Sequence, residues 1–296
     1  MEACQLPPPL CSGDSVWIML PSGALRELAS FEEGLGVLRS QGYTLHLSPH
    51  IQEQWGYLAG TDTQRRLALT TGLKGDYQGI FCGRGGYGST RILEDWQWPP
   101  TPTKWLIGFS DVTALLWALA SQGIASVHGP MITTLSQEPP WSQQRLFDCL
   151  AGRSLAPLTG NGWGQGQAQG ILLPGNLTVA THLLGTPLFP DLQGVILALE
   201  DVGEAPYRLD RMLTQWRLSG VLQQVKGIAL GQFSHCQAPE EIPSLTVPEV
   251  LRDRLGDLGI PIVADLPFGH DGPNAALPVG VPAQLDGDQG VLTISI

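Results

Sequence analysis

Along the first half of this chain, apolar and polar positions switch between two rhythms. "DSVWIMLPSGAL" holds a short apolar run that ends in a Pro-Ser-Gly turn, which predicts a strand. In "FEEGLGVLRSQGY" the apolar positions Leu35 and Leu38 fall at helical spacing, and Gly42 supplies a stop signal. "TLHLSP" alternates with the period of a strand. "TDTQRRLALTTGL" begins with cap-forming Thr and Asp and continues as a helix. Next come the strand "YQGIFC", a glycine loop, a helix through "STRILEDW", the strand "KWLIGF" and the helix "SDVTALLWALASQG".

Strands alternating with helices predict a parallel α/β sheet, whose ligand crevice lies outside the carboxyl ends of the strands. The glycine loop and "GFSD" both follow strands, so both should open on that crevice. The pattern then breaks. Residues 158–170, "LTGNGWGQGQAQG", show no apolar period and read as a linker or exposed loop. Beyond them "GVILALEDV" and "VKGIALGQF" predict buried strands. "YRLDRMLTQWRLSGVL", apolar at Leu209, Leu213 and Trp216, predicts a helix between them. "AQLDGDQGVLTISI" predicts a closing hairpin. The chain thus divides into an α/β unit (1–157), a linker (158–170) and a smaller mixed unit (171–296).

Composition narrows the class. With 296 residues, 43% hydrophobic and 15% charged, the chain fits a soluble globular protein with a substantial core. A net charge of −11 argues against a nucleic-acid partner, which would need a basic face. The five cysteines, Cys4, Cys11, Cys82, Cys149 and Cys236, are scattered and odd in number, as expected of reduced thiols in the cytoplasm. The opening "MEACQLPPPLCSGD" lacks the basic end and apolar core of a signal peptide. No apolar run approaches the roughly 18 residues of a membrane span. No His pair has zinc-motif spacing, so neither a metal nor a cofactor is expected.

Three places carry candidate chemistry. Gly83, Gly85 and Gly88 stand in a G-x-G-x-x-G frame, "GIFCGRGGYGSTRIL". A dinucleotide loop would follow the first strand and precede an acidic residue about 20 positions on. Here at least two strand patterns come first, and the nearest acid, Asp111, sits at a turn. A plain turn, or backbone amides serving a developing oxyanion, also fits. In "LIGFSDVTALLWAL", Ser110 stands between a strand and a helix, as in a nucleophile elbow. Val112 replaces the second glycine of that motif, and Ser110 could instead cap the helix. Of six histidines, His128 in "SVHGPM" and His270 in "LPFGHDGPNAALPVG" lie in glycine-flanked loops, and nothing in the residues chooses between them as a base. Glu200 and Asp201 close a buried strand; neighbours there face opposite ways, so only one should reach the site.

The strings "GRGGYGSTRIL", "IGFSDVTALL", "VHGPM", "GNLT", "LALEDVGEAPYRLDRML" and "PFGH…N…LPVG", in this order over most of the chain, resemble the LD-carboxypeptidase family of serine peptidases. The resemblance implies Ser110 as nucleophile, His270 as base and Glu200 as the acid orienting it. It implies the amides of Asp111 and Gly86 as an oxyanion hole. It implies a Rossmann- or flavodoxin-like N-terminal sheet domain, a smaller β-rich α+β C-terminal domain, and a homodimer.

The family's usual substrate is a murein tetrapeptide, from which terminal D-alanine is released in peptidoglycan recycling. One branch instead cleaves a peptidyl-nucleotide antibiotic and confers immunity to it. Pro174 in "LPGNLT", where the family often has glycine, and "LPSGAL" depart from the family pattern, which leaves substrate choice open. A carboxypeptidase must hold a free terminal carboxylate, for which Arg84, Arg91, Arg208 and Arg211 are candidates. The competing classes are a non-catalytic small-molecule-binding α/β protein and an NAD-linked oxidoreductase.

Overall fold

Nine elements alternate along the first half: β1 (Ser15–Met19), α1 (Leu28–Ser40), β2 (Thr44–Leu47), α2 (Asp62–Lys74), β3 (Gly79–Cys82), α3 (Ser89–Ile92), β4 (Trp105–Gly108), α4 (Thr113–Ser121) and β5 (Ser126–His128). The computed structural model describes residues 1–100, 103–239 and 241–296. β1 pairs in parallel with β2 and β3, β3 with β4, and β4 with β5. The resulting order 2-1-3-4-5 is the flavodoxin-like arrangement, and its crevice opens between β1 and β3, where the winding reverses. β3 and β4 are buried at every position, as a sheet covered on both faces requires.

Local chemistry sets the helix ends. The Thr61 hydroxyl accepts the Gln64 N–H at 3.3 Å, while the Gln64 side chain accepts the Thr61 N–H at 2.8 Å, a reciprocal cap on α2. The helix predicted through "STRILEDW" is a single turn, α3. The Arg66 guanidinium takes the carbonyls of Arg91, Ile92 and Glu94, and Asp95 leaves helical geometry at φ 53°.

The second half follows α5 (Ile132–Leu135) and α6 (Pro140–Leu150). It holds β6 (Leu158–Thr159), β7 (Asn161–Gly162), β8 (Gln167–Asn176), α7 (Leu177–Leu183), β9 (Val195–Val202), α8 (Pro206–Leu218), β10 (Gly227–Ser234), α9 (Val247–Leu255), β11 (Ile262–Ala264), β12 (Leu277–Val279), β13 (Val281–Asp286) and β14 (Val291–Ile294). An eight-stranded sheet runs β6-β14-β13-β8-β9-β10-β11-β7, with β8 to β11 parallel and the remaining pairs antiparallel. Its edge strands β6 and β7 are separated in sequence by Gly160 alone, so the sheet curls nearly into a barrel. Segment 158–170 is therefore not the featureless linker its composition suggested. A side chain on Gly160 would come within 2.2 Å of the Ala264 carbonyl of β11, so the glycine permits close approach of the β6–β7 connection to β11. The predicted hairpin is β13–β14.

Two features join the halves. β12 adds antiparallel to β5, returning the C-terminal chain to the first sheet. α4 packs against β8: Trp117 Nε1 donates to the Pro174 carbonyl at 2.8 Å, and the Asn176 N–H donates to Thr113 Oγ1 at 3.0 Å. Between them, a Cβ on Gly175 would lie 2.7 Å from Thr113 Cγ2 and 2.9 Å from Trp117 Nε1. No helix among the described residues is long and apolar enough to cross a membrane.

Gly175→Ala should force α4 away from β8 and cost about 1–3 kcal/mol, the usual range for overpacking. Denaturant midpoints check this. An unchanged midpoint would show that the seam yields without strain.

Candidate active site

Ser110 leaves the carboxyl end of β4 with φ 60°, in the left-handed region that a residue with a side chain enters at a cost of roughly 1–3 kcal/mol. Phe109 before it is extended, and the 3-10 turn Ser110–Val112 after it leads into α4. The chain thus reverses sharply at Ser110, as at a nucleophile elbow. Ser110 stands at neither helix cap: Phe109 precedes the 3-10 turn and Val112 precedes α4.

The glycine loop lies directly against this elbow. A Cβ on Gly85 would sit 3.2 Å from Ser110 Oγ, so only a glycine leaves the hydroxyl unobstructed. Gly86, exposed and at φ 105°, turns the loop beside it. Asp111 fastens the loop to the elbow: its carboxylate accepts the Ser89 N–H at 2.7 Å, and its carbonyl accepts the Ser89 hydroxyl. Burial raises the Asp111 pKa above its ordinary value. The Gly88 carbonyl is held by buried Arg65 at 2.6 Å. Among the described residues, the amides of Gly86 and Asp111 donate to no protein acceptor. The loop follows the third strand, whereas a dinucleotide fingerprint follows the first.

The two histidines and the two neighbouring carboxylates have different surroundings. His270 Nδ1 lies 2.6 Å from Glu200 Oε2, and Glu200 is fully buried at the carboxyl end of β9. The His270 ring packs on Phe109, the neighbour of Ser110, with centroids 4.8 Å apart. Burial pulls the His270 pKa down, but the hydrogen bond and charge of Glu200 outweigh it, so the value is raised above 6.5. His128 is different. It is wholly buried between Phe109 and Phe268, neither ring nitrogen has a partner among the described residues, and burial pushes its pKa down to about 4. It is an uncharged packing residue near physiological pH. Asp201 faces away: its Oδ2 accepts the Thr178 N–H at 2.8 Å and hydroxyl at 2.7 Å. Burial first, and then the neighbouring Glu200 charge, push its pKa up to about 6.

The Ser110 hydroxyl makes no hydrogen bond to His270 among the described residues; such contacts commonly tighten only in the reacting complex.

Sequence reasoning missed the residues that hold these groups. Asn176 Nδ2 donates to Glu200 Oε1 at 3.2 Å and to Asp201 Oδ1 at 3.1 Å, fixing both carboxylates from β8. Asn274 Oδ1 accepts the Gly269 N–H at 3.1 Å, and the Asn274 N–H donates to Glu138 Oε2 at 2.9 Å, which tethers the His270 loop to the start of α6. Both asparagines stood inside quoted strings, but no spacing rule marks an amide that bridges strands. Three of the four candidate arginines are in ion pairs: Arg84 with Glu27 at 3.0 Å, Arg91 with Asp62 at 2.7 Å, and Arg208 with Glu204 at 3.4 Å. Arg211 lies over the Tyr207 ring, 5.7 Å from its centroid.

Known proteins share this sequence and this fold. Residues 16–129 match the LD-carboxypeptidase N-terminal domain, and residues 169–285 match the LD-carboxypeptidase C-terminal domain. A Synechocystis relative, provisionally named a carboxypeptidase, is 60% identical over 289 residues, 97% of this chain and 96% of its own. The murein tetrapeptide carboxypeptidase of Pseudomonas aeruginosa is 35% identical over 279 residues, covering 87% of this chain and 89% of that one. The solved structure of the microcin C7 self-immunity protein MccF superposes with TM-score 0.88 at 22% identity, over 99% of this chain and 98% of its own, which shows a shared fold. The chain belongs to the LD-carboxypeptidase family, whose members are serine-type peptidases.

A neutral His270 acting as base gives a kcat/KM that rises with pH through a pKa above 6.5. Glu200→Gln should move that limb to lower pH while reducing the plateau, and a pH–rate profile reads both. The same raised pKa makes the protonated pair stabilising below about pH 6.5, a contribution that fades as pH rises through the folded value. An unmoved limb in Glu200→Gln would detach His270 from the rate.

Proposed function

We propose that the protein is a serine L,D-carboxypeptidase that releases terminal D-alanine from murein tetrapeptides. The single observation carrying this reading is the Glu200–His270 pair, 2.6 Å apart, packed through Phe109 against the Ser110 elbow. Ser110 gives its proton to His270 Nε2 and attacks the last peptide carbonyl, forming the Oγ–C bond of a tetrahedral intermediate. Glu200 holds the imidazole by Nδ1 and offsets its charge. The Asp111 and Gly86 amides receive the oxyanion, worth about 3 to 4 kcal/mol for each strong donor. His270 then protonates the leaving amine as the C–N bond breaks, and water, deprotonated by His270, releases the peptide from Ser110.

On this reading the labour is divided: residues 1–157 supply nucleophile and oxyanion donors, and residues 171–296 supply acid and base. For the terminal carboxylate we favour Arg84, whose Nη1 would lie 2.9 Å from a Cβ placed on Gly86. Arg84→Ala should raise KM for a free-acid peptide more than for its C-terminal amide. An equal effect on both would assign the role elsewhere.

Incubation with an L,D-linked tetrapeptide and its all-L counterpart, followed by mass spectrometry, tests the reaction. Loss of one alanine from the L,D substrate alone is expected, with Ser110→Ala lowering kcat at least about a thousandfold. Loss from the all-L peptide alone would contradict the muropeptide reading.

A further inference from the structure

Two charged side chains at α6 are buried without an opposite charge. Glu138 is 7% exposed and Arg145 6%; among the described residues no cation acts on the first and no carboxylate on the second. Burial raises the Glu138 pKa, and the hydrogen bonds from Ser142 and Asn274 counter only part of the rise. An unpaired buried charge costs stability, so its retention points to a duty at that place. Both side chains serve one short stretch of the C-terminal chain. Glu138 Oε2 accepts the Asn274 N–H at 2.9 Å, and Arg145 Nε donates to the Ala276 carbonyl at 3.0 Å. That stretch is the return from His270 to β12.

Glu138 is itself firmly held. The Ser142 hydroxyl donates to its Oε2 at 2.6 Å, and Gln143 Nε2 donates to its carbonyl at 3.0 Å, which fixes it to the first turn of α6. α6 belongs to the half that carries Ser110: Leu146, Phe147 and Leu150 share a core with Ile107 of β4 and Val127 of β5.

The loop around His270 needs such a support. Gly269 at φ 134° and Gly272 at φ 71° flank the histidine, and glycines constrain a backbone least. β10 holds the start of the loop, where the Gln232 N–H donates to the Phe268 carbonyl at 2.8 Å. Glu138 and Arg145 hold its return. Asn274 links the two ends, because its Oδ1 accepts the N–H of Gly269, the neighbour of His270, at 3.1 Å.

We propose that Glu138 is a positioning residue that acts through Asn274 to hold His270 against Glu200, an inference that rests on the peptidase reading above. The contacts run from α6 to Glu138, to the Asn274 backbone, and from the Asn274 side chain to Gly269. A carboxylate suits the task because one of its oxygens takes two donors at once, in charge-assisted bonds. Glu138 touches no reacting atom in this scheme. It sets where the imidazole stands.

Nuclear magnetic resonance titration of the His270 imidazole reads this support without substrate, with the signal assigned by its loss in His270→Gln. Glu200 raises that pKa by hydrogen bond and charge, and Asp201 and Asp271 raise it by charge. In Glu138→Ala the loop slackens, and the pKa should fall towards the ordinary value of about 6.5. The kcat for the tetrapeptide should fall about ten- to a hundredfold with KM little changed, the scale of a misplacement near an ångström. Glu138→Gln, whose side-chain oxygen can still accept the Asn274 N–H, should restore most of the pKa. If Glu138→Ala does not fold, Asn274→Ala cuts the same chain of contacts one link later and should lower the pKa alike. A merely structural tie would lower the denaturant midpoint and leave the pKa and kcat in place. An unmoved His270 pKa in folded Glu138→Ala or Asn274→Ala protein would overturn the proposal. The titration needs no turnover, so that failure is distinguishable from failure of the peptidase reading, which shows as a tetrapeptide left uncut by the unsubstituted enzyme.

Discussion

The site depends on how closely α4 can lie against β8. Ser110 is carried at the start of the chain segment that becomes α4, while Glu200 stands beside Asn176 in the register of β8 with β9. Any gap between α4 and β8 is therefore a gap between Ser110 and Glu200. Gly175 removes the side chain that would open such a gap, and the hydrogen bonds from Trp117 and Asn176 close the seam on either side of it. Pro174, a departure from the family pattern, contributes through its carbonyl, which accepts the Trp117 N–H. That role needs only the backbone.

Burial and hydrogen bonding then give the ionisable groups different environments. Glu200 is fully buried, yet its oxygens are occupied by His270 and Asn176, so its charge is directed at one imidazole. Asp201, one residue on, is spent on Thr178 and stabilises the start of α7. His128 lies within the electrostatic reach of the same pair but has no acceptor, and desolvation keeps it neutral. Two histidines of similar sequence context thus end with pKa values displaced in opposite directions. The cause is a single carboxylate contact made by one and not the other.

Much of the fold was legible because each element of the first half carries its own period and its own stop. Gly42 ends the region of α1 and Thr61 starts α2 through local chemistry alone. What was not legible depends on distant partners. The glycines of 158–170 resemble those of a flexible linker, but Gly160 lets the chain between β6 and β7 lie against β11. The early end of α3 is imposed by Arg66, from another helix. Within the site, the residues narrowed the base to two histidines and the acid to two neighbours. In the structure, strand register and ring packing set His270 against Glu200 and turn Asp201 towards Thr178. Asn176 and Asn274 left no signal of their own, because a bridging amide is defined by what lies opposite it.

The central claim is that Ser110 is a nucleophile activated by His270. Treatment with a serine-directed phosphonofluoridate, followed by peptide mapping, tests it most directly. The account predicts one covalent adduct, on Ser110, whose rate of formation falls sharply in His270→Ala. An adduct on another residue, or labelling of Ser110 at an undiminished rate without His270, would contradict it.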